Sequence, residues 1–226
     1  MNTSVSFCMV VLIAIPCFAG DELAEALVDD FSDAKFIGRQ AERGAWKFQD
    51  GMASCVADPV LYKQFKNHGP ILKWPREFVG AKIQFEMKAK DCQRVVLTLN
   101  GDGHIFRVTL ADERPDAPAG MSKVPTRLIA WAKKSSKQNK GDTFKPKGMP
   151  DLSVVNDEWV TVKLAVNGTQ AVLGIGDFQT AISHAALARE KNMVMLTFAH
   201  GEIAVRDFTF SPASGPISKS ITPAKR

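Results

Sequence analysis

Tyrosine is almost absent from this chain: one Tyr stands against 14 Phe. Few rings can therefore both stack and hydrogen-bond, which disfavours a Tyr-lined groove for sugars or nucleic acids. Long apolar runs are missing as well. The stretch Phe7–Ile15 is far shorter than the ~20 residues a membrane-spanning helix needs. The four His are dispersed, with no His-x-His or His-x-x-x-His spacing, and no CxxC pair occurs, so no metal site is legible. No Gly-rich phosphate loop, no Ser-His-Asp or Cys-His pattern, no internal repeat and no long helix stands out. The net charge is +5, but much of the excess sits in one Lys-rich segment, which argues against a nucleic-acid footprint.

Residues 1–19 read as a signal peptide. Pro16 ends the apolar run, and Cys17-Phe18-Ala19 offers small residues where a signal peptidase inspects the chain. Cleavage is expected after Ala19, giving a secreted, periplasmic or cell-envelope protein with no stable membrane span. Two features depart from pattern: Met1–Ser6 has no Lys or Arg, and Pro16 before Cys17 fits a lipobox poorly. An uncleaved anchor is the alternative. Cleavage removes Cys8 and Cys17 and leaves Cys55 and Cys92, a candidate disulfide in an oxidising compartment.

What is present is a series of short alternating runs. In Trp159–Val166, Val160, Val162, Leu164 and Val166 share one face while Thr161 and Lys163 share the other, the mark of a half-buried strand. Asn167-Gly168 turns that strand into Thr169–Ile175, since both residues accept positive φ cheaply. An Ala-rich connector (184–189) and two strands, Met193–Phe198 and Glu202–Phe210, follow. Upstream, Asp50-Gly51 centres a hairpin over 46–55, and 62–74 reads as an irregular strand broken at His68-Gly69-Pro70. Phe78–Ala89 is a clean strand with Ile83, Phe85 and Met87 on one face and Gln84, Glu86 and Lys88 on the other. Arg94–Leu99 and His104–Leu110 form a hairpin, 111–126 is a loop, and Arg127–Ala132 is a short strand.

Residues 20–28 are expected to be a frayed leader, too short for a helix stable on its own. The Lys-rich segment 133–150, with six Lys between 133 and 147, is expected to be a solvated loop, or else a site for an anionic polymer. The tail 213–226 is expected to be disordered. About ten or more short strands punctuated by turns make residues 29–212 an all-β, antiparallel two-sheet sandwich.

The order of landmarks carries a resemblance. An opening Asp30-Phe31 is followed by Trp46-x-Phe48-x-Asp50-Gly51, then Phe78-Val79-Gly80-Ala81-Lys82-Ile83-Gln84-Phe85-Glu86. Asn156-Asp157-Glu158-Trp159-Val160-Thr161-Val162-Lys163 comes next, and the chain closes on Gly201-Glu202-Ile203-Ala204-Val205-Arg206-Asp207-Phe208-Thr209-Phe210. The whole resembles the concanavalin A-like (laminin G-like) jelly rolls of bacterial envelope proteins, and among them the 3-keto-disaccharide hydrolase domain family. The resemblance implies two face-to-face sheets and an outer face that binds glycans. The motif Glu-x-Asp-x-(x)-Glu of glycoside hydrolases on this fold is missing: Glu86 is followed by Lys88, and Glu202 by apolar residues and Arg206. Gly103-His104-Ile105-Phe106-Arg107 with Asp112-Glu113 is a partial echo of the keto-sugar hydrolases.

Alternation assigns candidate site residues. With Phe106, Val108 and Leu110 inward, Arg107 points outward; Gln84 and Glu86 point outward by the same logic, and Trp131 shares a face with Ile129. A surface of Gln84, Glu86, Arg107 and Trp131 would suit a sugar, the indole stacking on a pyranose and the polar groups reading its hydroxyls. The competing reading makes Glu86 and Arg107 a cross-strand surface pair and Trp131 a core residue. If the chain is an enzyme, it is a glycoside (3-keto-glycoside) hydrolase, with Glu86 or Glu113 as acid/base and Arg107 stabilising charge. No cofactor is implied beyond a structural Ca²⁺ between Asp29 or Asp30 and Asp207. The sequence thus supports a carbohydrate-binding module first, a hydrolase second, and a structural protein docking to envelope polymers third.

Overall fold

A computed structural model describes residues 25–114 and 124–213. The expected signal peptide, the leader up to residue 24, the middle of the 111–126 loop and the tail beyond 213 lie outside the described residues. Alternation of buried and exposed side chains along short strands produces the two-sheet antiparallel sandwich. The first sheet comprises β1 (Leu27–Asp29), β3 (Lys47–Gln49), β4 (Met52–Val56), β6 (Ala81–Lys90), β11 (Trp159–Asn167), β12 (Gln170–Ile175), β13 (Phe178–Ser183) and β15 (Glu202–Pro212). Its order is β13-β12-β11-β6-β15-β4-β3, with β1 on the far half of β15. The second sheet holds β2 (Gln40–Glu42), β5 (Ile71–Phe78), β7 (Arg94–Gly101), β8 (Gly103–Ala111), β9 (Arg127–Ala130), β10 (Asp142–Phe144) and β14 (Lys191–Ala199). It runs β10-β9-β8-β7-β14-β5-β2.

The core forms where the inner faces meet. Ile83, Phe85 and Met87 of β6 and Val160, Val162 and Leu164 of β11 pack toward Leu97 and Leu99 of β7, Phe106 and Val108 of β8, and Val194 and Leu196 of β14. Trp74 on β5 stacks on Phe208 of β15 across the sheets, with ring centroids 3.8 Å apart. Strand β15 changes register against β6 between Arg206 and Thr209, and Asp207 there has φ +55°. This bulge matters because a one-residue insertion flips the inward face. Ile203 and Val205 point inward before it, and Phe208 and Phe210 after it.

Several expectations change. The sandwich starts at Leu27, which is buried and pairs with Phe210, so the leader's last residues already belong to the sheet. The irregular strand expected over 62–74 is instead a helix, α1 (Pro59–Gln64), followed by β5. Asp58 caps that helix by accepting from the Val60 and Leu61 N–H groups, and Pro59 occupies its first turn, where its missing N–H costs nothing. The Lys-rich segment is not all loop, because β10 within it pairs with β9. Strand β13 was not anticipated, and the Ala-rich connector is a short 3₁₀ turn, Ala185–Ala188. Gly69 leads into β5 at a point of close approach: a Cβ there would lie 1.8 Å from the Phe198 carbonyl oxygen.

Candidate functional site

Strand pairing arrays two rows of outward side chains across the seven-stranded sheet. Ile129, Arg107, Thr98, Met195 and Lys73 stand opposite one another across β9, β8, β7, β14 and β5. Arg127, Thr109, Val96, Thr197 and Ile71 form the neighbouring row. These ten side chains line a groove of about 540 Å³. Arg43 and residues 67–69 wall it on the β2–β5 side, Val124 borders it near β9, and His104 with Asn100 lies at the β7–β8 turn. Its volume falls in the range of small-molecule sites, about 300–1,000 Å³.

The groove is cationic and short of counter-charge. Lys73 is paired with Glu42 at 2.5 Å, and Arg94 reaches the Tyr62 hydroxyl at 3.5 Å. Among the described residues, no carboxylate pairs with Arg94, Arg107 or Arg127, and none lines the groove. Burial pushes the Arg107 guanidinium down to about 10, and the like charges of Arg94 and Arg127 push the same way. Burial, helped by Arg107, also pushes His104 down to about 4, so its ring is neutral at pH 7. His104 Nδ1 lies 2.7 Å from Asn100 Oδ1 and donates to it, leaving Nε2 as an acceptor.

The four residues expected on one sugar-binding surface are split between the two sheets. Arg107 lines the groove, but Gln84 and Glu86 lie on β6, on the outer face of the other sheet. Glu86 pairs there with Arg206 at 2.5 Å rather than with Arg107, and the Arg206 guanidinium sits 4.1 Å from the Trp159 ring. Trp131 follows β9, is 7% exposed and is not among the residues that line the groove. The ring instead backs the groove: the Arg107 guanidinium lies 5.3 Å from it and His104 5.6 Å. Glu113 accepts from the Thr126 N–H at 2.7 Å and lies 3.7 Å from Lys145. That carboxylate ties down a loop, and it is six residues along the chain from Arg107. The acid/base pairing of Glu86 or Glu113 with Arg107 therefore finds no support in proximity.

The candidate disulfide is not formed: Cys55 and Cys92 are both free and buried. Strand β15 runs between β4, which carries Cys55, and β6, whose end precedes Cys92. Cys92 donates to the Glu202 carbonyl at 3.1 Å, and burial pushes its thiol up to about 12 and that of Cys55 to about 11. Of the carboxylates expected to hold Ca²⁺, Asp30 accepts from the Ser32 N–H at 3.0 Å and from the Ser32 hydroxyl at 2.7 Å. Asp29 is taken up by Arg39 at 2.5 Å and Trp74 Nε1 at 3.0 Å, while Asp207 is exposed beside Arg206. Among the described residues, no group of three or more His, Cys, Asp or Glu could hold a metal ion.

Sequence reasoning missed Thr98, Arg127 and Met195. Each was signalled by alternation, since Val96-x-Thr98-x-Asn100, Arg127-x-Ile129-x-Trp131 and Met193-x-Met195-x-Thr197 place their members on one face. What the sequence withheld was which strands are neighbours.

No protein-family model matches the sequence, and no curated protein sequence matches it. Among solved structures, the fold is similar to the CBM2 module of the evolved Dit of Lactobacillus casei BL23 phage J-1. The TM-score is 0.56 at 10% identity, over 83% of this chain and 95% of that one. It is also similar to the carbohydrate binding module CBM66 from Bacillus subtilis, with a TM-score of 0.53 at 6% identity, over 77% of this chain and 95% of that one. At such identity the shared property is the two-sheet sandwich.

Proposed function

We propose that this chain is a carbohydrate-binding β-sandwich module, secreted or periplasmic and exported on residues 1–19, whose glycan lies along the groove of the seven-stranded sheet. The observation that carries the reading is the composition of the two rows. Thr98, Thr109 and Thr197 offer hydroxyls, Val96, Ile129 and Met195 offer aliphatic surface, and Arg107 and Arg127 offer fixed donors. A sugar ring presents the complementary mixture of C–H faces and hydroxyls, and a few placed polar groups on an apolar bed give such sites their selectivity. The sandwich shared with two carbohydrate-binding modules adds fold-level analogy and nothing residue-specific.

The test is a melting-temperature screen of the purified protein against neutral and acidic glycans. A ligand at ~100 times its dissociation constant adds about 2.7 kcal/mol, which shifts a domain of this size by about 5–10 °C. Thr197→Trp, which fills the groove, should abolish the shift. Silence across the panel, or a shift that survives Thr197→Trp, overturns the reading.

The resemblance to 3-keto-disaccharide hydrolases supports a second reading, in which the bound sugar is processed. Its structural foothold is Glu113, which follows β8, the strand that carries Arg107 into the groove. Turnover of a 3-keto-glycoside that disappears in Glu113→Gln would put that reading first. Attachment to an envelope polymer through residues 133–150 would instead show as salt-sensitive binding lost when that segment is deleted.

A further inference from the structure

The floor of the groove leaves strong hydrogen-bonding groups without partners. Thr98 and Arg107 face each other across β7 and β8, and Thr98 is 1% exposed. Among the described residues, neither Thr98 Oγ1 nor Arg107 Nε has a hydrogen-bond partner, and Arg127 Nε is buried and unpartnered as well. All three side chains line the same groove. Arg127 is the diagonal neighbour of Arg107 on the adjoining strand, a placement that sets backbones roughly 7–8 Å apart. Arg94, further along β7, adds charge of the same sign. Gathering guanidinium groups away from bulk water raises the energy of each one, and folding gains nothing from it. An anion seated among them adds an attraction to each guanidinium that offsets this cost.

We infer that the groove takes an acidic sugar, its carboxylate or sulfate seated between Arg107 and Arg127 with the Thr98 hydroxyl as a further donor. This rests on the glycan-binding reading above and names its ligand class. A guanidinium presents two parallel N–H groups that match the two oxygens of a carboxylate or sulfate, which a lysine cannot do. Trp131 backs Arg107 at 5.3 Å and so holds its plane before the ligand arrives. Val96, Ile129 and Met195 flank the anion position and meet the apolar edge of the ring. A nucleic acid fits less well. The one Phe, Tyr or Trp among the described lining residues is Phe198, 2% exposed, which leaves bases no surface to stack on.

The test is calorimetric titration of the purified protein at about physiological ionic strength. The probes are an oligogalacturonate, a sulfated oligogalactan, the carboxyl-reduced and desulfated forms of each, and a single-stranded oligonucleotide. The acidic form of at least one sugar should bind at least tenfold tighter than its neutral counterpart, and the two arms tell carboxylate from sulfate. Arg107→Gln and Arg127→Gln should each cost at least tenfold for the acidic sugar and little for the neutral one. Lys82→Gln, on the outer face of the other sheet, should change neither. Thr98→Val, a near-isosteric change, covers the case in which an arginine variant fails to fold; it should lose acidic-sugar affinity severalfold, and full retention overturns the inference. Equal affinity for acidic and neutral sugars overturns the inference and leaves the glycan-binding reading standing. No sugar binding at all overturns both, and an oligonucleotide that binds tighter than any sugar replaces both.

Discussion

Asp29→Asn should be one of the most damaging single changes available in this chain. Asp29 Oδ1 accepts from Arg39 at 2.5 Å and from the Phe31 N–H at 3.1 Å, and Oδ2 accepts from Trp74 Nε1 at 3.0 Å. Both charged side chains are 2% exposed. The Arg39 guanidinium also lies 3.9 Å from the Phe48 ring and donates to the Asp33 carbonyl at 2.6 Å. Removing the carboxylate charge leaves a buried guanidinium that cannot shed its proton, a loss of about 3–5 kcal/mol. An Asn amide also turns a donor toward Arg39 or Trp74, which adds about 1 kcal/mol for a lost hydrogen bond. The two together come to about 4–6 kcal/mol, so the melting temperature should fall by about 8–24 °C, at 2–4 °C per kcal/mol for a domain of this length. Urea unfolding followed by Trp fluorescence reads the same loss at equilibrium, and Arg39→Met should cost a similar amount. The double variant Asp29→Asn/Arg39→Met should be more stable than the sum of the two, because Met packs against Phe31 and Phe48 without a charge to satisfy. A loss under about 1 kcal/mol for Asp29→Asn, or strict additivity in the double variant, would refute the reasoning.

Two further predictions follow from the walls of the groove. His104 is held down at about 4 against an ordinary 6.5, so the unfolded chain takes up its proton first as pH falls. Stability should therefore be full above pH 6.5 and decline toward pH 4, by about 1–2 kcal/mol once solvent screening of this half-buried ring is allowed for. His104→Gln should lose less stability than the parent between pH 7 and 4.5, and parallel pH curves would contradict this. Gly69→Ala places a methyl 1.8 Å from the Phe198 carbonyl oxygen and 3.0 Å from its carbon, backbone atoms that cannot swing aside. It should cost about 1–3 kcal/mol in urea unfolding and weaken ligand binding by displacing Asn67 and His68 from the groove wall. An unchanged unfolding midpoint would show that the loop relaxes freely.

Local pattern carried the strands, and long-range pairing carried the site. Asn167-Gly168 and Asp50-Gly51 made their hairpins as the sequence implied, pairing Asn167 with Gln170 and Gln49 with Met52. The inward faces of β6, β8 and β11 also followed from alternation alone. Alternation says that a residue points out, but a sandwich has two outer faces. Glu86 and Arg107 both point out and lie on opposite sides of the molecule, because β6 joins β11 and β15 while β8 joins β7 and β9. Trp131 fails for a different reason. It points away from the core as expected, but β10 starts beside it, with a Cβ at Gly141 falling 2.8 Å from its ring, and the segment covers it. Helix α1 was within reach: Asp58-Pro59 is a capping residue followed by the one residue type suited to an unbonded first turn.

The two outer faces treat charge differently, and that difference bears on what the protein is for. On the eight-stranded sheet Arg206 meets Glu86, Lys88 meets Asp157, and Arg206 also covers the Trp159 ring. Such half-exposed pairs contribute little to stability, and each cancels its own charge locally. On the seven-stranded sheet Arg94, Arg107 and Arg127 stand together with no acid between them among the described residues, and Thr98 beside them has no hydrogen-bond partner there. The excess of +5 over the chain invites attention to the lysines of 133–147, but those side chains are mostly exposed and solvated. Charge that is held in a cavity and partly stripped of water is the kind that discriminates among ligands. A neutral residue at 107 or 127 would relieve repulsion and leave strand pairing intact, so both variants should fold at least as stably as the parent. If Arg107→Gln instead lowers the unfolding midpoint in ligand-free protein, the guanidinium supports the fold, and the groove's charge loses its claim to be a binding device.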